Sequence, residues 1–198
     1  MNQKLVWNRI AESWSNFRQK PEKKVFSLLK RWSKGKILDA GCGNCRNLFP
    51  FFKNNFECYG FDFSKEMINN SKKYIKKNNF KVNLKIGSLE KIPFKDKTFD
   101  YVICFAVLHH LENPENGIRE TKRILKNNGE AYVNIWNKYQ LKFLFKREEM
   151  YIKWGNEKRY YNLISYFKLR RILKESNFSI LESNFFGKNI EFLIKKNE

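Results

Sequence analysis

A glycine-containing loop and an aspartate farther along the chain have the spacing of a nucleoside-binding site. Residues 37–44 read ILDAGCGN, an apolar run with Asp39 near its end that breaks into a loop at Gly41 and Gly43. Glycine in such a loop can adopt a positive φ and lets a ligand approach the backbone closely. Asp62 follows after about 20 residues, the interval at which an acidic side chain meets a ribose in dinucleotide-binding folds. The pair therefore predicts a ligand that carries a nucleoside.

The loop lacks one feature of a pyrophosphate site. The dinucleotide pattern GxGxxG needs a further glycine where this chain has Arg46. This difference favours a nucleoside ligand without pyrophosphate. S-adenosylmethionine fits, because Asp62 can accept hydrogen bonds from both ribose hydroxyls while the loop holds the amino-acid end.

Polar and aromatic side chains also follow the later apolar runs. His109 and His110 come directly after residues 101–108, and Trp136 ends another run. In an open α/β sheet, ligands bind beyond the carboxyl ends of the strands. We therefore expect these side chains near the nucleoside site, although adjacent histidines also satisfy local carbonyls and tryptophan also packs in cores.

Four cysteines, at positions 42, 45, 58 and 104, include one CxxC pair. A structural zinc site needs four ligands, and no second cysteine or histidine pair stands at ligand spacing. The two histidines are adjacent and cannot easily share one metal. We expect reduced thiols and no metal.

Strands and helices alternate over residues 36–136, which is typical of a doubly wound parallel sheet. The N-terminal residues 1–34 are expected to form a helical cap, and residues 137–164 an irregular insertion over the site, all within one domain spanning residues 1–198. Residues 178–186 and 190–194 are expected to close the sheet as an antiparallel pair around Gly187. The predicted helices are residues 1–19, 22–32, 44–53, 64–77, 114–125 and 165–175.

The charge balance favours a polyanionic partner. Lys and Arg number 40 against 20 Asp and Glu, a formal charge of +20. Nucleic acid is the commonest partner of such a chain, although lysine spread over every solvated face would give the same total. No apolar run approaches the length of about 18 residues that a membrane span needs, so we expect a cytoplasmic protein without membrane attachment.

Four motifs carry a resemblance to a known family. The segments DAGCGN, YGFD, IPFKDKTFD and RILKNNGE resemble successive motifs of the class I S-adenosylmethionine-dependent methyltransferases. The resemblance implies a Rossmann-like, seven-stranded and mostly parallel sheet with an antiparallel last strand. Cys45 stands where the loop often has a third glycine, and Ser88 where an aspartate usually meets the adenine amino group. The predicted cofactor contacts are Asp39, Gly41, Cys42, Gly43, Asn44, Asp62, Phe63, Ser88, Leu89 and Ala106.

A narrower resemblance extends over nearly the whole chain. The segments VWNRIAESWSNFRQKP, FAVLHHL, NIWNKYQ and KRYYNL resemble the tRNA wobble-uridine carboxymethyl methyltransferases, which esterify 5-carboxymethyluridine in the anticodon. It implies the tRNA anticodon stem-loop as partner. One position differs, because Glu22 stands where the family has a tryptophan. The implied substrate-side residues are Arg18, His109, His110, Trp136, Arg159 and Tyr160.

Three further expectations stay open beside this resemblance. A small-molecule methyltransferase of the same fold, acting on a quinone precursor or a metabolite acid, would share the cofactor motifs. A non-catalytic binding subunit would explain the changes at Cys45 and Ser88. Enzymes of the resembled family also work with a small zinc-binding activator protein. The alternating strand from Lys81 to Ile86 is a candidate edge for it.

Overall fold

The computed structural model describes residues 1–143 and 146–198. The helices, in chain order, are α1 (Gln3–Phe17), α2 (Lys24–Arg31), α3 (Leu48–Lys53), α4 (Lys65–Lys77), α5 (Pro114–Ile124) and α6 (Tyr166–Glu175). The strands are β1 (Lys36–Ala40), β2 (Glu57–Asp62), β3 (Asn83–Ile86), β4 (Phe99–Phe105), β5 (Leu125–Trp136), β6 (Glu149–Trp154), β7 (Glu157–Asn162), β8 (Phe178–Asn184) and β9 (Asn189–Lys196). None of the helices in these two ranges is long and apolar enough to span a membrane.

Seven strands form one sheet in the order β3-β2-β1-β4-β5-β9-β8. Strands β1 to β5 are parallel, and β9 runs antiparallel to both β5 and β8. This confirms the predicted mostly parallel sheet with an antiparallel last strand. From β1 the chain first builds outward through β2 and β3, and then returns to place β4 on the other side of β1. The resulting switch point lies between β1 and β4, where a crevice opens at the strands' carboxyl ends.

The central strands are apolar on both faces because helices cover both. Along β4, Val102 packs in one buried cluster while Ile103 packs in the other. Successive side chains of a strand point to opposite faces, so a continuous apolar run supplies two cores at once. This double burial holds the strand ends in place beneath the crevice.

Two predicted boundaries change where the backbone turns left-handed. Helix α3 begins at Leu48 rather than at residue 44, because Cys45 has φ 66° and a left-handed residue cannot continue a right-handed helix. Strand β4 ends at Phe105 rather than at residue 108, because Ala106 has φ 59° and residues 108–110 form a 3-10 turn. Both changes lie next to the crevice.

Two further segments are more regular than expected. Strand β5 begins at Leu125 and includes Asn127-Asn128-Gly129, a sequence typical of a turn, where its register against β4 jumps from Leu125 to Glu130. The predicted irregular insertion contains the hairpin β6–β7 instead. Its two-residue turn is Gly155-Asn156, a pairing typical of hairpins. Residues 144 and 145 of that insertion lie outside the described residues.

Candidate cofactor and substrate cleft

A cleft of about 490 Å³ opens at the carboxyl ends of β1, β2, β4 and β5. Helix α1 and the hairpin β6–β7 form its outer wall. Tyr160 N–H donates to Gln3 Oε1 at 2.8 Å, and Trp154 Nε1–H donates to Ser13 Oγ at 2.9 Å. These contacts join segments about 140 residues or more apart in the chain.

The glycine loop approaches its neighbours too closely for side chains. A Cβ on Gly41 would lie 2.5 Å from Val107 Cγ2, and one on Gly43 would lie 2.8 Å from the Trp14 ring. Both glycines have positive φ, 78° and 54°. Cys45 adopts the same left-handed conformation, which accounts for the third glycine of the resembled motif. Its side chain is fully buried at a conformational cost of about 1 kcal/mol.

Asp62 faces the cleft at the end of β2. Its Oδ2 accepts from Gly43 N–H at 3.1 Å and its Oδ1 from Ser64 N–H at 2.9 Å. Each oxygen keeps a second lone pair for a ligand hydroxyl. Burial raises the pKa of Asp62 from 3.8 to about 6, although backbone N–H groups from Ser64 and Gly43 oppose the shift.

Two predicted cofactor residues do not line the cleft. Asp39 is buried, its Oδ2 finds no partner in the described part of the chain, and burial raises its pKa to about 7. Asn44 Nδ2 donates to the carbonyl of Arg18 at 2.7 Å and so joins the loop to the end of α1. Their proximity to the loop in sequence suggested contact, but their side chains point into the protein. The predicted residues that do line the cleft are Gly41, Cys42, Gly43, Asp62, Phe63, Ser88, Leu89 and Ala106.

Two arginines near the loop share one carboxylate. Arg46 Nη2 lies 2.6 Å from Glu22 Oε1, and Arg18 Nη1 lies 3.7 Å from the same oxygen. Both guanidiniums lie over the Trp14 ring, at 5.3 and 5.5 Å. The cluster of Arg18, Arg46 and Glu22 carries one net positive charge, and it lies near the carboxylates of Asp39 and Asp62 at the loop. Arg46, which in the sequence only marked a missing glycine, and Trp14 are lining residues that the sequence reasoning missed.

Arg159 is a buried cation that has no ionic partner in the described part of the chain. Three aromatic rings surround its guanidinium. The Cζ atom lies 5.0 Å from the ring centroid of Trp154, 5.3 Å from that of Tyr161 and 5.7 Å from that of Trp7. Among residues 1–143 and 146–198, no carboxylate lies within 4 Å of it, and its Nε has no hydrogen-bond partner. Burial lowers its pKa. The arrangement suits an anionic group of a ligand, because a charge-assisted pair would then satisfy the guanidinium.

The two histidines present complementary ring nitrogens. His109 Nδ1 accepts from Trp136 N–H at 3.2 Å, so its Nε2 carries the hydrogen, and this buried donor has no partner among the described residues. His110 Nδ1 donates to the carbonyl of Tyr160 at 2.7 Å, which leaves its Nε2 as an acceptor. Burial lowers the pKa of His109 well below 6.5 and that of His110 to about 4. Both rings are therefore neutral near pH 7.

Aromatic rings complete this end of the cleft. The Trp136 and Tyr161 ring centroids are 4.6 Å apart, and Tyr161 stacks on His109 at 5.1 Å. Tyr160, expected on the substrate side, does not line the cleft, and its ring lies near Tyr151 instead. Because residues alternate along β7, Arg159 and Tyr161 share the cleft face while Tyr160 takes the other. The missed Tyr161 and Trp7 follow from this hairpin and its contact with α1.

Comparisons with known proteins agree with this geometry. Residues 38–133 match the family described as a methyltransferase domain. The chain is 32% identical over 185 residues to the uncharacterized protein MJ1123 of Methanocaldococcus jannaschii, covering 90% of this chain and 83% of that protein. It is 29% identical over 170 residues to the ubiquinone biosynthesis O-methyltransferase of Rickettsia typhi, covering 84% of this chain and 67% of that one.

A solved structure shares the fold. The S-adenosylmethionine-dependent methyltransferase from Clostridium acetobutylicum superposes with a TM-score of 0.74 at 15% identity, covering 97% of this chain and 99% of that one. Because residues 38–133 match the methyltransferase domain and the sequence relatives include methyltransferases, the chain belongs to the class I S-adenosylmethionine-dependent methyltransferases. The cofactor of this family supplies an electrophilic methyl group on a sulfonium sulfur.

The residues of this methyltransferase fit that cofactor. Asp62 offers two acceptor positions for ribose hydroxyls, and the close-packed glycine loop lets a ligand reach backbone atoms. Arg18, predicted on the substrate side, lies with Arg46 beside the loop, and the two guanidiniums suit the carboxylate of the cofactor's methionine moiety. Ser88 lies in the lining with a hydroxyl that can hydrogen-bond adenine. Arg159 and the histidines lie at the other end, where a substrate would sit.

Proposed function

We propose that this methyltransferase esterifies the carboxylate of 5-carboxymethyluridine at the wobble position of tRNA. Arg159 carries the proposal, since it is a buried guanidinium without a carboxylate partner in the described part of the chain. Guanidinium binds carboxylate through two parallel hydrogen bonds. A substrate carboxylate would therefore restore the charge balance that the protein itself leaves open.

The chemistry of a carboxylate suits the groups around Arg159. A carboxylate is ionised near neutral pH, so no residue has to remove a proton before its oxygen attacks. The oxygen–carbon bond forms while the sulfur–carbon bond breaks, leaving a methyl ester and a neutral thioether. Catalysis is then mainly positioning of the oxygen, to which the buried Arg159 guanidinium is suited.

The histidine pair supports a uracil ring as the group that bears the carboxylate. One edge of uracil offers an N–H donor beside carbonyl acceptors. His109 supplies a donor and His110 an acceptor on rings 4.6 Å apart. Trp136, which is only partly buried, can stack on the base. The formal charge of +20 adds the electrostatic attraction that an RNA substrate requires.

A small-molecule O-methyltransferase is the second candidate, because the relative from Rickettsia typhi is named for ubiquinone biosynthesis. A phenol such as a quinone precursor keeps its proton at neutral pH, with a pKa of about 10. Its methylation needs a general base. His109 and His110 are poor bases because burial lowers the pKa of each. The lowered pKa values therefore favour the carboxylate substrate.

The test is mass spectrometry of wobble nucleosides after incubation with S-adenosylmethionine and tRNA bearing 5-carboxymethyluridine. We expect a methyl ester that mild alkali removes. Affinity for tRNA should also fall steeply as salt rises, because each phosphate contact releases counterions. The proposal would be contradicted if the protein methylates a free phenolic quinone precursor but not the tRNA, and if its affinity for tRNA does not change with salt.

We also propose a zinc-binding activator protein as a partner at the sheet edge. Strand β3 ends the strand order, and Ile86 on it is 49% exposed. An edge strand can pair with a strand of another protein. Co-purification with such a protein would be lost in Ile86→Lys but kept in Lys85→Arg. Full activity of the monodisperse chain alone would make the partner unnecessary.

A further inference from the structure

A second cavity, of about 450 Å³, lies beside the mouth of the cleft. We define the aromatic pocket by its five rings, which come from the segment after β5, the start of α6 and the β8–β9 turn. These are Tyr139, Tyr166, Phe167, Phe185 and Phe186. Gln140 lines both the pocket and the cleft, so the two cavities are neighbours.

The rings of the aromatic pocket are unusually accessible. Phe167 and Phe186 are each 72% exposed, and Tyr139 is 50% exposed. Large apolar rings gathered on a surface mark a binding site more often than rings scattered singly. A ligand with flat faces would cover them.

The pocket is built from fixed parts. Asn137 Nδ2 donates to the carbonyls of Phe185 at 2.7 Å and Gly187 at 3.1 Å, which holds the β8–β9 turn against the segment after β5. Phe185 stacks on Phe186 with ring centroids 4.2 Å apart. Ring faces held in this way pay little ordering entropy when a ligand binds.

Positive charge lies between the pocket and the cleft. Lys142 and Lys188 line the cleft on the side of Gln140. Gln140 Nε2 donates to the Lys188 carbonyl at 2.8 Å, which sets that lysine next to the shared wall. Aromatic faces beside lysines are the usual way to bind single-stranded nucleic acid, with bases stacked and phosphates neutralised.

We propose that the aromatic pocket binds the nucleobase adjacent to the target nucleotide, stacked on Phe186 and Phe167. Lys142 and Lys188 face the phosphate that joins the two nucleotides. This rests on the proposed RNA substrate. It adds a contact that a free nucleoside cannot make, so the pocket would discriminate an RNA chain from its isolated nucleoside.

The test uses Phe186→Ala, Phe186→Trp and the control Phe26→Ala, an exposed phenylalanine of α2 that lines neither cavity. The substrates are an anticodon stem-loop with 5-carboxymethyluridine, the same RNA with an abasic site on either side of the target, and the free nucleoside. Phe186→Ala should raise KM for the intact RNA about tenfold, the usual effect of losing one stacked base. Phe186→Trp and Phe26→Ala should match wild type.

The abasic substrates decide whether Phe186 contacts the neighbouring base. One of the two abasic substrates should raise the wild-type KM by the same factor, and that abasic site should have no further effect in Phe186→Ala. KM for the free nucleoside, which has no neighbouring base, should be the same in wild type and Phe186→Ala. Losses that multiply, or an unchanged KM for RNA, would overturn the pocket assignment while RNA remained a substrate. If the wild-type protein methylates no RNA, and Phe186→Ala impairs methylation of a prenylated phenol, both proposals are wrong. The aromatic pocket would then bind the apolar tail of a small-molecule substrate.

Discussion

The two ends of the cleft are built differently. The loop end comes from neighbouring parallel strands, and Gly43 and Asp62, 19 residues apart, are already hydrogen-bonded there. The substrate end joins α1 to β7, as in the contact between Gln3 and Tyr160, 157 residues apart. The glycine loop and Asp62 of the first end are a property of the sheet, although Trp14 and Arg18 reach it from the α1 region. The second end exists only once more distant segments have packed together.

The ends also differ in charge compensation. At the loop, Glu22 partly neutralises Arg18 and Arg46. At the other end, Arg159 lacks a carboxylate partner among the described residues. A buried unpaired cation lowers stability. An unpaired buried cation in a cleft marks a candidate ligand site. If Arg159 binds the substrate, changes at the two ends should separate cofactor binding from substrate binding.

The largest effect is expected at the loop end from Asp62→Ala. Loss of both carboxylate oxygens should weaken S-adenosylmethionine binding by more than about 100-fold, because hydrogen bonds to a charged group contribute about 1.5–3 kcal/mol each. Isothermal titration calorimetry measures it. Asp39→Asn is the matched control, since the Asp39 side chain does not line the cleft. Equal loss in both variants would contradict the assigned ribose contact.

At the substrate end, Arg159→Met should separate the two functions. We expect kcat/KM for the carboxylate substrate to fall about 10- to 100-fold while the cofactor Kd stays unchanged. The free energy of unfolding should rise by about 1 kcal/mol, because an apolar side chain replaces an unpaired buried charge. Arg119→Met on α5 serves as the control. A higher cofactor Kd in Arg159→Met would show that the two ends of the cleft are energetically coupled and would contradict their separation.

The pH dependence of cofactor binding should belong to the loop end alone. Burial raises the pKa of Asp62 to about 6 in the cofactor-free protein. The ionised carboxylate accepts both hydroxyls, so affinity should level off above that pH and fall up to about tenfold per unit below it. Calorimetry from pH 5 to 8 tests this, with Asp62→Asn expected to bind weakly and without the slope. A slope retained in Asp62→Asn would assign the titration elsewhere.

The smallest effect is expected where the hairpin is tied to α1 at the surface. Arg9 Nε lies 2.6 Å from Glu157 Oε1, but Arg9 is more than half exposed. Arg9→Gln should therefore lower the free energy of unfolding by less than about 1 kcal/mol and raise the substrate KM slightly. Lys36→Gln, which removes an exposed pair within the sheet, should leave KM unchanged. Thermal denaturation and steady-state kinetics distinguish the two variants.

The sequence predicts the loop end of the cleft better than the substrate end. The glycine loop and Asp62 were identified because their spacing is local and set by a strand–loop–helix unit. Arg159 and Tyr160 came only from resemblance, and Tyr160 points to the wrong face. The hairpin that sets this alternation has a basic and aromatic sequence, but its first strand, EMYIKW, alternates apolar and polar residues. This alternation and the Gly155-Asn156 turn are the local signals that could have predicted two strands.

By itself the sequence determined the sheet, the nucleoside loop and the acidic residue that faces it, because apolar periodicity and backbone sterics act between near neighbours. Tertiary structure alone decided that Asp39 and Asn44 turn inward, that Arg46 and Trp14 enter the lining, and that Arg159 lies unpaired in an aromatic enclosure. Burial and charge compensation depend on which distant segments meet. The sequence therefore indicated several residues of the substrate end, but only the folded chain shows how they are arranged and paired.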